Sequence, residues 1–346
     1  MDAQYASVAS ALRPNRLTFL PISMTSRLSG NVRMWPTAEA TRRMATLARR
    51  LAPQEGYNLT ALPGVRILRS DRALSRTPVL YDPGIVIVCQ GRKRGYFGRQ
   101  VYLYDQQHYL AVTVPVPFTM ESEGTPEHPL LAVYMHLDFT MAAELMIDID
   151  RHPQATDREA PQSMMSSPMD AALVASTLRL LEAMNHPLDA AILGPGLLRE
   201  VYFRVLVGAQ GAVLRSALEM RGQFGKIGKA LRRIHDAYAG PLQLAQLAQE
   251  ADMSVPSFHS HFKAITRTSP MQYLKSTRLH QARLLMVRQG MTAESAAYAV
   301  GYASASQFTR EFKRLFGLPP VAEVRRMREN FAIPPEQAAS SYVSSH

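Results

Sequence analysis

Two stretches near the C-terminus repeat each other at an offset of 50 positions, so a single supersecondary unit must occur twice in whatever this chain folds into. SVPSFHSHFK (254–263) aligns with SASQFTREFK (304–313), matching Ser254 with Ser304, Phe258 with Phe308, Phe262 with Phe312 and Lys263 with Lys313. Pro270 and Pro320 extend the match. Each copy predicts a short helix with serine at the N-cap, rings at i and i+4 on a buried face, and small polar or basic residues opposite. Such a helix is a candidate for reading a groove.

A groove-reading helix needs a second helix to brace it across a short turn. In the first copy Pro241 opens a helix with apolar face Leu244, Leu247, Ala248 and Ala251, and Asp252-Met253 makes the turn. In the second, Thr292 caps a helix through Ala296, Ala297 and Val300, and Gly301-Tyr302 makes the turn. Glycine suits a left-handed turn residue, and aspartate tolerates the same conformation at some cost. Two helix-turn-helix units are therefore expected. Between them, residues 270–288 have no internal Gly or Pro, and Met271, Tyr273, Leu274, Leu279, Ala282, Leu285 and Met286 fit a helical stripe. About 18 helical residues span roughly 27 Å, approaching the roughly 34 Å between successive major grooves on one side of a duplex.

These residues carry a resemblance. From Pro241 to Pro320, including FKAITRTSPMQYLKSTRLHQARLLM and VGYASASQFTREFKRLFGLPP, the chain resembles the DNA-binding domain of the AraC/XylS family of bacterial transcription regulators. The upstream stretch from about Asn58 to Asp138, with YDPGIVIVCQGRKRGYFGRQVYLYDQQHYLAVTVPVPF, resembles the family's cupin-like N-terminal β-barrel. Two positions depart from the pattern: Asp252 stands where the family usually has glycine, and Ala296 where it often has a larger aliphatic residue. The second departure predicts looser packing of the second unit, costing up to a few kcal/mol if nothing refills the space.

With Phe258 and Phe262 pointing inward, Pro256, Ser257, His259, Ser260 and Lys263 are left to face DNA. Phe308 and Phe312 likewise leave Ala305, Ser306, Gln307, Arg310 and Lys313. The resemblance implies that Pro256, His259, Ser260, Ser306, Gln307 and Arg310 approach base edges, where Gln suits adenine and Arg suits guanine through paired hydrogen bonds. Gln307 also lies three residues after Ser304, so a capping box competes for its side chain. Ser254, Lys263, Ser304 and Lys313 are expected as phosphate contacts or caps.

Charge agrees with this placement. The chain carries a formal +11, and residues 225–330 hold 16 Lys and Arg against 7 Asp and Glu, so nine of the eleven surplus charges sit with the repeated units. A localised cationic excess is the footprint of a phosphate-binding surface, although it also suits a merely basic soluble domain. The single cysteine, Cys89, excludes an internal disulfide and fits a reducing compartment. No apolar run reaches the length of a bilayer span, and the N-terminus lacks a signal-peptide pattern, so a cytoplasmic location is expected.

The expected fold class is α+β in two domains: an N-terminal cupin-like β-barrel with flanking helices and a C-terminal all-α double helix-turn-helix domain. Residues 1–37 read as poorly ordered or as the product of an upstream start, with Met34 as an alternative start. The regulatory domain is placed at 38–185, a helical linker at 186–224, the DNA-binding domain at 225–331 and a tail at 332–346. The spacing of Met44, Leu47, Ala48 and Leu51 predicts an amphipathic helix over 38–51. Strands are expected at 65–68, 85–89, 93–97, 101–104, 109–114, 118–121 and 130–137, then a loop over 151–168. Asp170 caps a helix through Leu181; another runs from Leu197 to about Val207 after Pro187 and Gly194-Pro-Gly196 interrupt, and a third starts at Val213, loosened by Gly222, Gly225 and Gly228. These helices cover the barrel, pair two subunits, or both.

Catalysis has little support. His108, His128, His136 and His152 are scattered, with no His-x-His pair in the strand region and no phosphate-cradling Gly loop or nucleophile elbow, so no metal and no cofactor is expected. A sensor is the better reading. Tyr96, Tyr102, Tyr104, Tyr109, Phe118 and Tyr134 are candidates for lining an effector pocket, with ordinary barrel core as the competing role. Cys89 is either an inert small hydrophobe or, if Arg92, Lys93 and Arg94 face it, a reactive thiol. The expected partners are promoter or operator DNA, RNA polymerase, a small organic effector and, as a further candidate, a second copy of the chain. A cupin-type metalloenzyme fused to a DNA-binding domain and a constitutive DNA-binding protein are the alternatives.

Overall fold

Alternation of side chains across the front half of the chain builds one antiparallel sheet. The computed structural model describes residues 37–152, 159–219 and 221–330; the expectations for residues 1–36, 153–158 and 331–346 lie outside these. Among the described residues there are ten strands: β1 (Gly56–Leu59), β2 (Val65–Ser70), β3 (Leu74–Tyr81), β4 (Gly84–Gln90), β5 (Arg92–Phe97), β6 (Gln100–Asp105), β7 (His108–Val112), β8 (Val116–Glu123), β9 (Leu130–His136) and β10 (Met164–Pro168). Their order is β1-β2-β9-β4-β7-β6-β5-β8-β3, with β10 added on β7. The ends of this path, β1 and β3, do not pair with each other, so the barrel is open.

Both faces of this sheet are buried, which explains why Ile85–Cys89 and Leu130–Met135 are unbroken apolar runs rather than alternating ones. One set of alternate residues, including Tyr57, Tyr81, Val86, Val88, Phe97, Tyr104, Phe118, Met120 and Tyr134, turns into the barrel. The other set, including Ile85, Ile87, Cys89, Tyr109, Leu131, Val133 and Met135, lies under helices α1 (Ala38–Leu51), α3 (Ala171–Met184), α5 (Gly194–Val207) and α6 (Gly211–Leu218). Each fully covered aliphatic side chain there contributes about 1.5–3 kcal/mol relative to exposure.

Several expected boundaries are corrected. The stretch expected as a loop over 151–168 ends in β10, whose Met164 and Met165 are buried against β7 while its serines and Pro168 carried a loop-like composition. Helix α2 (Phe139–Asp150), capped by Asp138 through Thr140 and Met141, follows β9 directly. The interruption expected at Gly194-Pro-Gly196 falls at Leu193, between α4 (Pro187–Ile192) and α5, and Pro195 sits in the first turn of α5, where a missing N–H costs nothing. The helix expected to open at Pro241 begins at Leu244.

The C-terminal region is helical throughout: α7 (Gly222–Ala237), α8 (Leu244–Glu250), α9 (Val255–Thr266), α10 (Pro270–Arg288), α11 (Ala293–Ala299), α12 (Ala305–Phe316) and α13 (Pro320–Asn330). Ser254, Ser269, Thr292 and Ser304 each accept a backbone N–H three residues on, capping α9, α10, α11 and α12. The two turns have the expected left-handed residues, Asp252 at φ 48° and Gly301 at φ 87°. The repeat is as close in three dimensions as in sequence. The rings of Phe258 and Phe262 lie 5.5 Å apart at 49°, and those of Phe308 and Phe312 lie 5.4 Å apart at 51°.

Helix α10 is not a strut with one apolar stripe. Tyr273 and Leu274 belong to the core of the first unit, while Leu279, Ala282 and Met286 belong to that of the second. Ala296 is fully buried among Tyr302, Phe308, Phe312 and Phe316, so neighbouring rings occupy the space that a larger side chain at 296 would take.

The two regions join. The apolar cluster inside the barrel runs without a break into the first helix-turn-helix core, linking Tyr104 and Phe118 to Phe258 and Phe262. The Tyr273 hydroxyl donates to the Pro115 carbonyl (2.8 Å), and Ser163 Oγ donates to the Ile265 carbonyl (2.7 Å). Edge strand β3 contains Pro78, which has no N–H to leave unpaired. Its carbonyl accepts from Arg283 Nη2 of α10 at 3.4 Å. The described residues thus fall in a single compact unit.

Candidate nucleic-acid interface

Helices α9 and α12 bury Phe258, Phe262, Phe308 and Phe312 completely and turn the opposite face outward. Pro256, His259, Ser260 and Lys263 on α9 are exposed, as are Ser306, Gln307, Arg310 and Lys313 on α12. Ser257 is half-buried, its hydroxyl 3.3 Å from His261 Nδ1, and Ala305 is half-buried too. Ser254 and Ser304 act as caps, their hydroxyls accepting from the N–H groups of Ser257 (3.4 Å) and Gln307 (3.3 Å). Among the described residues Lys263, Arg310 and Lys313 have no carboxylate partner, so three cations stand ready for phosphate or base acceptors.

The Gln307 side chain does not close a capping box. Its amide donates to Glu311 Oε1 at 3.2 Å, one turn along α12. Glu311 also accepts from Lys275 Nζ of α10 (2.8 Å) and the Tyr302 hydroxyl of the turn (2.8 Å). Those three donors hold its carboxyl below the ordinary glutamate range against the opposing effect of burial. Glu311 therefore fixes the rotation of α12 about its axis, because its partners sit on two other elements. Sequence reasoning missed it, since its partner Lys275 lies 36 residues away with no local pattern.

A second device sets the two units relative to each other. Arg278, on α10, donates to the carbonyls of Tyr238 (2.7 Å), Gly240 (2.8 Å) and Gly301 (3.0 Å). One guanidinium thus ties the end of α7 to the second turn, a task suited to its fixed fork of donors. Gly301 must be glycine twice over: its φ is 87°, and a Cβ there would lie 2.3 Å from the Ala239 carbonyl oxygen. Behind α12, Arg283 and Glu323 form a fully buried ion pair (3.2 Å) that binds α10 to α13, and burial pushes the guanidinium down to about 10. In the first unit His235 Nε2 lies 2.6 Å from the Tyr273 hydroxyl; that hydroxyl donates to Pro115, so it accepts from His235. Burial pushes His235 down to about 3, leaving it neutral.

The residues expected to line a barrel pocket separate into three groups. Tyr104, Phe118 and Tyr134 are buried together inside the barrel, with Tyr102 partly buried at the margin of the same cluster. Tyr96 is on the outer face, its hydroxyl donating to Glu121 (2.6 Å) under the Arg76 guanidinium, 4.0 Å from its ring centroid. Cys89 and Tyr109 lie on the helix-covered face. Burial pushes the Cys89 thiol up to about 12, so it is held as the unreactive thiol form. The sequence reading overlooked the interior cations: Arg66, stacked between the rings of Tyr57 and Tyr134, and Lys93, hydrogen-bonded to the Tyr81 hydroxyl at 3.0 Å. The signal for Lys93 was the period-2 register with Gly95 and Phe97, hidden by its charged neighbours Arg92 and Arg94.

Among the described residues no group of three or more His, Cys, Asp or Glu is placed to hold a metal ion, and no helix is long and apolar enough to cross a membrane.

Comparison with known proteins adds the following. Residues 61–213 match the model of the AraC-type transcriptional regulator N-terminus, and residues 247–327 match a helix-turn-helix domain model. A putative AraC-like transcription regulator of Streptomyces lividans is 33% identical over 94 residues, covering 27% of this chain and 31% of that protein. The transcriptional activator RhaS of Escherichia coli is 25% identical over 134 residues, covering 38% and 47%. The chain thus spans less than half the length of either relative. Among solved structures, an apo ToxT variant from Vibrio cholerae superposes with a TM-score of 0.52 at 10% identity, covering 79% of this chain and 99% of that one, a likeness of fold.

Proposed function

Since the chain belongs to the AraC-type transcription regulators, DNA-binding proteins rather than enzymes, we propose that it is an effector-responsive member whose barrel receives a small organic molecule and passes that event to the helix-turn-helix units. The observation that carries this reading is the unbroken apolar cluster from Tyr104 and Phe118 to Phe258 and Phe262. A molecule entering the barrel displaces rings that pack, through this cluster, on the core holding α9. It shifts DNA binding only to the extent that it prefers one arrangement over another.

On DNA, Pro256, His259, Ser260, Ser306, Gln307 and Arg310 are assigned to base edges, and Lys263 and Lys313 to phosphates. Action on promoter DNA in the activating sense is favoured by the likeness to the transcriptional activator RhaS, and with it we propose a cytoplasmic location and contact with RNA polymerase. The exposed apolar residues Leu188, Ile192 and Leu193 favour pairing with a second copy.

The coupling is tested with Ser163→Ala, which removes the hydrogen bond to the Ile265 carbonyl while leaving every DNA-facing residue in place. A changed affinity for a bound promoter fragment, with unchanged base preference, supports transmission from barrel to α9. Unchanged affinity, together with no shift by any compound that stabilises the protein, leaves the barrel as an assembly element.

A further inference from the structure

Lys93 is 1% exposed, its neighbours in space are aromatic, and its ammonium group has no carboxylate partner among the described residues. Its bonding partner is the neutral Tyr81 hydroxyl, and its Nζ lies 5.6 and 5.7 Å from the ring centroids of Tyr81 and Tyr104. Register explains the surroundings. Lys93 on β5 stands opposite Tyr104 on β6 and opposite Ser122 on β8, so the three side chains form a row across adjacent strands, all turned into the barrel. Directly paired residues place their Cβ atoms about 5 Å apart, close enough for their polar ends to converge on one small group.

Two members of this row are unsatisfied. Ser122 Oγ is buried without a hydrogen-bond partner, and the Tyr104 hydroxyl approaches that of Tyr81 without closing a hydrogen bond. A buried ammonium lacking a counter-ion beside two buried hydroxyls lacking acceptors costs free energy three times over, and nothing in the fold of the barrel requires it. Lys93 donates to the Tyr81 hydroxyl but has no counter-ion, and the two hydroxyls beside it have donors to offer, so the site has one positive charge to neutralise and three groups that can donate to one anion.

We infer that Lys93, Tyr104 and Ser122 form the anchoring subsite for an effector that is a small organic carboxylate, its oxygens accepting from the three side chains and its apolar body lying among Tyr81, Phe97, Phe118 and Met120. This deepens the effector reading above and depends on it. The charge of the row supports the class: a carboxylate supplies the counter-charge that the Lys93 ammonium lacks, and a neutral sugar does not. Burial also pushes Lys93 down to about 7, so a carboxylate that restores its full charge is favoured by an interaction that a neutral isostere lacks.

The test uses the full chain and a defined series: acetate, hexanoate and benzoate, each against its primary amide, read by thermal unfolding and by titration. The expected result is that at least one acid raises the melting temperature while its amide does not. Lys93→Met, which replaces a buried charge by an apolar chain of similar length, is expected to melt no lower than the parent and to bind that acid at least about 30-fold more weakly. Ser122→Ala provides a second, milder variant, weakening acid binding with little change in the unliganded melting temperature. The inference is overturned if no acid of the series stabilises the protein, or if Lys93→Met retains the acid response. Amides that stabilise as well as the acids would keep the effector reading and remove the carboxylate; silence from both acids and amides, with DNA affinity unmoved, would count against both.

Discussion

Replacing Gly301 by alanine isolates the contact that sets one DNA-reading unit against the other. Three glycines end or turn helices in the C-terminal region with positive φ: Gly290 at 68°, Gly301 at 87° and Gly317 at 82°. At Gly290 and Gly317 a Cβ would meet no atom within 4 Å, so alanine there costs only the left-handed backbone, roughly 1–2 kcal/mol. At Gly301 the same backbone cost applies, and the Cβ would also lie 2.3 Å from the Ala239 carbonyl oxygen and 3.1 Å from Arg278 Nη2. Neither neighbour yields easily, because Arg278 is held by three carbonyls. Overpacking of this kind adds about 1–3 kcal/mol, giving a total of roughly 2–5 kcal/mol. The excess over Gly290→Ala corresponds to a further fall in melting temperature of about 2–12 °C for a unit of this size. Thermal unfolding of the three alanine variants, followed by DNA titration at a temperature where all are folded, reads both consequences. Gly301→Ala should melt below the other two and bind two-site DNA more weakly, since the second turn is forced away from residues 238–240. Equal melting temperatures for the three variants would refute the close approach on which the relative placement of α9 and α12 rests.

Arg310→Ala should cost about 1–3 kcal/mol at one base position and relax preference there, whereas Lys313→Ala should weaken all sequences alike and reduce the salt slope by about one; a binding selection at two salt concentrations separates them, and exchanged outcomes would reverse the assignments. His235 is neutral in the fold down to about pH 3, whereas the unfolded chain takes up a proton near 6.5, so acid favours unfolding. Its contribution is fully present above about pH 6.5 and declines below, by up to about 1.4 kcal/mol per unit, so urea midpoints of the parent should fall more steeply from pH 7.5 to 5.0 than those of His235→Gln; parallel profiles would contradict the buried neutral imidazole.

Much of the C-terminal half was legible because local chemistry and tertiary need coincide there. A serine cap, rings four apart and a left-handed turn residue are each local signals, and they specify where α9 and α12 begin and which face they bury. The outward-facing positions of α9 and α12 followed by subtraction once the rings were buried. What was illegible depended on distance in sequence. Glu311 meets Lys275 and Arg278 meets Gly240 only because α10 is shared by two cores, and no spacing rule announces such pairs. In the barrel the limit was face assignment. Period 2 distinguishes two sets of residues but, with both faces buried, does not say which set turns inward; Cys89 and Tyr109 therefore joined the pocket candidates although helices cover them, and Lys93 was passed over as one of three charged neighbours. Strand β10 was hidden by a composition of serine and proline that resembles a loop, and its pairing with β7 is long-range.

Two equivalent units, joined by a shared helix of 19 residues, about 28 Å long, are proposed to address one duplex together. Hydroxyl-radical footprinting of the full chain on its preferred genomic fragment tests this most directly. Two protected segments are expected on the same side of the helix, centred about one turn, 10–10.5 base pairs, apart, with the segment weakened in Arg310→Ala being the one read by α12. A single protected segment, unchanged by Arg310→Ala, or protection without any sequence preference, would contradict it.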